Sequence, residues 1–329
     1  GLDVSAGARL TIDPGVIVKT GNDGDGAVAD DGLEVKDGGT LRAKGTDETP
    51  IIFTSLGDDS VGGDTYTDSN PIFPGPWGRI DFARGSDGTL ENVTIRNGGD
   101  QSSSSLSLQA PVSVIDSRVA SSGGDGISVV EAAPRIANSE VVGNDLSGIA
   151  VYEGRPTIEG TLITENRTGV KIPRPPVPNL GDSSNYGRNI IRKNTDYAIA
   201  NRTSSSISAI GNYWGTTSAS DIDGSIYDDE EDGESGPVVF DPYLSTAPSE
   251  ELVALASKTV DSDGTVGFGQ TSTRIDFSGV SGSGEVSVKK YSDEPDGTDG
   301  ISESNVSSQR VVIEDGGDLS FDDNTEVRL

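Results

Sequence analysis

"DGISVVEAAPRIANSEVVGNDLSGIAVYEGRPTIEGTLITENRTGVKI", residues 125–172, states one pattern three times, as "DGISV", "SGIAV" and "TGVKI". Gly126, Gly148 and Gly169 recur at intervals of 22 and 21 residues, and Pro134 returns as Pro156. A fixed period of this size marks a solenoid, in which one supersecondary unit stacks on copies of itself. Aligned on the period, apolar residues fall into three columns: Val114, Ile136 and Ile158; Val119, Val141 and Ile163; Ile127, Ile149 and Val170. Each burst spans three to five residues of alternating polarity, too short for a helix and suited to a strand. Three columns predict three strands per coil, each bonded to its counterpart about 4.8 Å away in the next coil.

The turns repeat as well. Ser122, Asn144, Asn166 and Asn194 share one turn column, where stacked Asn side chains can hydrogen-bond along the axis and tolerate left-handed backbone. Gly126, Gly148 and Gly169 follow at positions where a Cβ would collide with the stack. Both columns read as structural.

Composition agrees and narrows the chemistry. Among 329 residues, 44 Gly and 16 Pro point to a turn-rich all-β chain, and the 32% hydrophobic residues are clustered enough to build a core. The net charge of -30 makes nucleic acid and anionic membrane poor partners. Diffuse, Asp-rich acidity predicts a chain kept soluble in concentrated salt, with calcium loading as the rival reading. Cys, His and Met are absent, which excludes disulfides, thiol nucleophiles, His bases and His- or Cys-based zinc sites. Any catalysis would therefore use carboxylates, Arg, Lys or Tyr. No run approaches the roughly 20 apolar residues of a membrane span, so no membrane insertion is expected. The chain opens on Gly1 without a leader, as expected of a processed or partial secreted chain, extracellular or at a cell surface in high salt.

The opening segments "ARLTIDPGVIVKTG", "LEVKDGGTLRAKGTDETPIIFTS", "PWGRIDF" and "GTLENVTIRNGG" resemble the first coils of secreted right-handed parallel β-helix proteins, the NosD-like and pectate-lyase-like group. "GNYWGTTSASDIDGSIYDDEEDGESGPVVFDPYLSTAP" is similar to that group's closing coil, in which Trp214 would cap the core. The resemblance implies a right-handed parallel β-helix of about ten coils over residues 1–248. It leaves activity open, because the group shares a scaffold and not a reaction. From 249 to 329 the strands lengthen and the 22-residue echo stops, which predicts a small β-sandwich, ending within a strand as in a truncated chain. "FSGVSGSGEVSVKKY" resembles the β-sandwich modules that follow β-helices in large secreted proteins.

On this scaffold the resemblance implies that lyases use Arg or Lys with Asp-held calcium, and that glycosidases use paired carboxylates. The best stack places Gln109, Glu131 and Glu153 in nearly equivalent turns, with Tyr152, Arg135 and Arg155 nearby. The Pro-rich insertion 173–188, carrying Arg174 and Tyr186, is expected to rise beside Glu153 as the wall of a groove. The competing reading has Glu131 and Glu153 as solvated turn residues neutralised by Arg155. Asp23, Asp25, Asp30 and Asp31 are the calcium candidates, and Ca2+ is the one cofactor considered, none being required. Trp77 and Trp214 are expected to be buried.

The functional expectation is a noncatalytic structural or adhesive module of a larger secreted, cell-surface or filament protein. Its partners would be a polysaccharide or cell-surface glycan, a second copy, or further modules of the same polypeptide. A polysaccharide lyase or glycosidase and a tailspike-like receptor binder are the alternatives.

Overall fold

A computed structural model describes residues 1–21, 32–63, 77–100 and 103–248, and beyond them the backbone of strands lying between 254 and 328. The chain divides into two compact units, Gly1–Gly45 with Ile51–Pro248, and Thr46–Pro50 with Ser249–Leu329.

The first unit is a parallel β-helix whose three main sheets are visited in the same order on each of the first six turns, with Ile207–Ser208 and Val238–Val239 paired as a separate two-stranded sheet near its far end. Sheet 1 has nine strands: Leu2–Val4, Leu33–Val35, Ile80–Phe82, Ser104–Leu108, Asp125–Val129, Ser147–Tyr152, Thr168–Arg174, Tyr197–Asn201 and Ile226–Tyr227. Sheet 2 has six strands, from Arg9–Ile12 to Thr157–Glu159, and sheet 3 has seven, from Ile17–Thr20 to Ile190–Arg192. The nine strands of sheet 1 mark nine turns, close to the ten estimated from the sequence. All neighbouring pairs in these sheets are parallel, because each strand meets its counterpart one coil away rather than a hairpin partner.

The three apolar columns are the inward rows of the three sheets. Val114 pairs with Ile136 and Ile136 with Ile158, Val119 with Val141 and Val141 with Ile163, Ile127 with Ile149 and Ile149 with Val170. All nine are 0–1% exposed. Burying one such side chain stabilises the fold by about 1.5–3 kcal/mol, so the repeated column is the main driving force for stacking.

Two polar ladders hold the corners between sheets. At the corner from sheet 3 to sheet 1, Ser122 N donates to Asn144 Oδ1 at 3.0 Å, Asn144 N to Asn166 Oδ1 at 3.1 Å, and Asn166 N to Asn194 Oδ1 at 3.1 Å. At the corner from sheet 2 to sheet 3 a second ladder runs through Ser117, Ser139, Thr161, Asn189 and Asn212, each backbone N–H bonding to the next residue's side-chain oxygen. The ladder residues satisfy backbone groups that the bend removes from the sheets. The left-handed residue is the one before each ladder residue: Ser121, Gly143, Glu165 and Lys193 at the first corner, Asp116, Asn138, Gly160 and Arg188 at the second. This corrects the expectation that the stacked Asn residues take that conformation themselves. Their side chains turn toward the axis while the preceding residue makes the bend.

The far end of the β-helix closes on a short helix, Ala219–Asp223, capped by Ser218 and burying Ile222. Trp214 is 5% exposed and stands edge-on to Phe240 at 6.1 Å. In the second unit the described strands form two three-stranded antiparallel sheets, ordered Ala254–Val260, Gly284–Tyr291, Arg310–Asp315 and Gly264–Phe268, Thr273–Phe277, Glu326–Arg328.

Candidate functional site

The turn leaving sheet 1 carries the candidate carboxylates. Val129 pairs with Val151, so Glu131 and Glu153 occupy equivalent places one coil apart. Both are left-handed, at φ 52° and 87°, a conformation that a residue with a Cβ adopts at a cost of about 1–2 kcal/mol. Glu165 and Lys193 show that other corners of this fold impose the same geometry, so the strain belongs to the turn and not to a dyad.

Gln109 falls outside the stack. Leu108 pairs with Val129, which sets Gln109 opposite Val130, one residue out of step, and its Nε2 donates to Asp81 Oδ1 at 3.4 Å.

Each Glu has its own cation. Glu131 pairs with Arg84, which follows the strand two coils away, and Glu153 with Arg174 Nη1 at 3.4 Å. Arg135 is taken by Glu159, its Nε donating at 2.8 Å. Arg155, expected to neutralise both carboxylates, is tied to the coil through its backbone N–H to Ala132 O.

Tyr152 ends its strand, yet its hydroxyl donates to Asp125 Oδ2 at 3.2 Å, at the start of the neighbouring strand. The side chain therefore reaches back along the outer face of sheet 1 to the neighbouring strand. Burial, then the Asp125 carboxylate, push the phenol up to about 12. Asp125 Oδ1 accepts from Ser147 N at 2.8 Å.

The insertion 173–188 is two turns and not one wall. Asn179 bridges to Thr157 in the sheet 2 position, and Leu180 beside it is fully buried in the core. Residues 175–178 thus form the turn from sheet 1 to sheet 2, and residues 181–188 the turn into sheet 3. Arg174 stays with Glu153. Tyr186, 43% exposed, belongs to the other turn, where its ring lies over Gly211. Asp182 organises that turn by accepting from Ser184 N, Ser184 Oγ and Asn185 N, which hold its carboxyl below the usual range.

The calcium candidates Asp23, Asp25, Asp30 and Asp31 lie outside the described residues. Among the described residues, no three acidic side chains gather as a metal site. Trp77 is 1% exposed and donates from Nε1 to Arg96 O at 2.9 Å.

Two clusters escaped the sequence reading. Asp58, 1% exposed, binds Thr54, Ser60 and Arg96; burial works to raise its pKa, but the Ser60 and Thr54 hydroxyls and Arg96 outweigh burial and hold the carboxyl below the usual range. Tyr197 and Tyr227 meet edge-on at 5.4 Å, with the Arg202 guanidinium 4.5 Å above the Tyr227 ring. The second ladder had a legible signal, since Ser117, Ser139 and Thr161 recur every 22 residues.

No family model matches the chain, and no curated protein matches it. Among solved structures it is similar to the crystal structure of Dettilon tailspike protein (gp208), at 10% identity and a TM-score of 0.30, covering 88% of this chain and 71% of that one.

Proposed function

We propose that the chain is a noncatalytic structural or adhesive module of a larger secreted or cell-surface protein. The β-helix serves as a stiff stalk and residues 249–329 as a β-sandwich spacer. A surface glycan would lie along the turn that carries Tyr152, Glu153 and Arg174. The observation that supports this reading is the pairing of Glu131 with Arg84 and of Glu153 with Arg174. Glycoside hydrolysis and uronate elimination need an acid and a base poised on the bond being broken. Here the coil-to-coil repeat supplies two carboxylates whose nearest demands are already met by guanidinium groups.

The test is a glycan-array screen at high salt beside a turnover assay on acidic and neutral polysaccharides. Binding without turnover is expected, with Arg174→Ala and Tyr152→Ala weakening it. Turnover that disappears in Glu131→Gln or Glu153→Gln would replace this reading with a polysaccharide-active enzyme.

A further inference from the structure

Four triplets of the form Asn-x-Ser/Thr occur in the chain: Asn92-Val93-Thr94, Asn166-Arg167-Thr168, Asn201-Arg202-Thr203 and Asn305-Val306-Ser307. The triplet is the acceptor motif for N-linked glycans, so spacing alone makes each a candidate. Asn305 lies outside the described residues. The fold separates the other three.

Asn166 and Asn201 are 0% exposed, and their amides are used up inside the coil stack. Asn166 Nδ2 lies within 3.1 Å of Val141 O, Thr164 O and Asn194 Oδ1. Asn201 Nδ2 donates to Ser205 O at 2.9 Å and to Gly236 O at 2.6 Å, while its Oδ1 accepts from Thr203 N at 3.0 Å and from Thr203 Oγ1 at 2.9 Å. A sugar on either nitrogen would displace these bonds and leave buried groups unpaired, at about 1–3 kcal/mol each. Neither amide can carry a glycan in the stacked chain.

Asn92 is built the other way. It makes the corner between Asp87–Glu91 and Val93–Arg96, is partly exposed, and takes the left-handed conformation at φ 50°. Its backbone is fixed, with N donating to Ile115 O at 3.2 Å and O accepting from Ile51 N at 3.1 Å. Its side-chain amide makes no hydrogen bond among the described residues, and neither does the Thr94 hydroxyl. Thr94 stands between Val93 and Ile95, both 1% exposed in the core, and therefore faces away from it. Asn138 occupies the same kind of corner, exposed and at φ 49°, but is followed by Ser139 and Glu140 and lacks the motif. Exposure and motif coincide at Asn92 and at neither Asn138, Asn166 nor Asn201.

We propose that Asn92 is an N-glycosylation site, modified after the coils have stacked. The donor is an oligosaccharide joined through phosphate to a lipid. Asn92 Nδ2 forms the bond to the anomeric carbon, the bond from that carbon to the phosphate oxygen breaks, and the lipid phosphate leaves with the electron pair. One amide proton passes to a base of the transferase, so nothing is oxidised or reduced. Transfer must follow stacking, because an unfolded chain would offer Asn166 and Asn201 equally, and a glycan there would prevent the coils from closing. This inference rests on reading the chain as secreted or held at a cell surface.

The test is to express the chain in its native cells, recover it separately from the medium, the cell surface and the cytoplasm, and map its tryptic peptides by mass spectrometry. The peptide Gly85–Arg96 of the exported chain should carry a saccharide mass that is lost sugar by sugar on fragmentation, while the peptides with Asn138, Asn166 and Asn201 stay bare. Asn92→Asp should remove the saccharide and keep the corner, since Asp shares the tolerance of Asn for left-handed backbone. Thr94→Val should remove it as well, with a β-branched residue still in the strand, and Thr94→Ser should retain it. An exported chain with bare Asn92 would overturn the proposal alone. A chain found only in the cytoplasm with bare Asn92 would overturn it together with the cell-surface reading. A sugar on Asn166 or Asn201 of the folded chain, or one that survives Thr94→Val, would also overturn it.

Discussion

Asn166 shows how much one amide carries in this fold. Its Oδ1 accepts from the backbone and side-chain nitrogens of Asn144 at 3.1 and 2.7 Å, and its Nδ2 lies within 3.1 Å of Val141 O, Thr164 O and Asn194 Oδ1. The glycine column is required both by this ladder and by the backbone carbonyl of the next coil. A Cβ added at Gly126, Gly148 or Gly169 would stand 2.7, 2.8 or 2.8 Å from the Nδ2 of Asn144, Asn166 or Asn194. Asn166→Ala leaves several buried groups unpaired and is expected to cost about 3 kcal/mol or more in urea unfolding. Gly148→Ala is expected to cost about 2 kcal/mol by overpacking. The double variant should lose less than the sum, because the clash with the amide disappears while that with Gly169 O, at 2.9 Å, remains. An additive double variant would separate the two columns physically. Both columns were legible as repeats, but their mutual contact was not, since spacing along a chain does not say which side chains meet across a corner.

At the scale of strands and turns, the sequence reading succeeded where length was constant and failed where it changed. The coils between 113 and 164 keep step at 22 residues, and there the apolar columns read from the sequence are the buried rows. At Gln109 a shift of one residue removed it from the Glu131 and Glu153 stack, and at 173–188 one short pairing, Asn179 with Thr157, split the insertion into two turns. A pairing of that length has no periodicity to read. Tyr152 is a further case, its partner being decided by how the ring lies across the sheet. Its phenol is pushed up to about 12, against about 10 in an unfolded chain. Because the folded chain then holds its proton to higher pH, the stabilisation is complete below about pH 10 and is lost as pH rises toward about 12. Tyr152→Phe should flatten that part of the stability profile in urea titrations, and phenolate absorbance should show one late-titrating tyrosine fewer. An unchanged alkaline profile would argue against a phenol buried beside Asp125.

Across the whole molecule, net charge governs how stability responds to salt. A charge of -30 acts against compaction, and the exposed ion pairs that join coils, such as Arg42 with Asp87 and Lys44 with Glu91, recover about 0–1 kcal/mol each. Raising salt from about 0.1 M to about 1 M shortens the screening length from about 10 Å to about 3 Å, which weakens both the repulsion and the pairs. Repulsion involves many more partners, so the thermal midpoint should rise over that range. A midpoint that falls with salt would mean that the pairs outweigh the net charge.

Strand periodicity and the residue types able to stand at a tight corner are local properties, and they suffice to specify a parallel β-helix. The 22-residue spacing, the three apolar columns and the Asn column were therefore written in the chain itself. Which carboxylate meets which guanidinium was decided only in three dimensions. Arg84 reaches Glu131 across two coils, and Arg174 reaches Glu153 across one. Such contacts depend on the exact stagger of neighbouring turns and on where an insertion re-enters the coil, and long side chains act on that stagger at distances the sequence does not record.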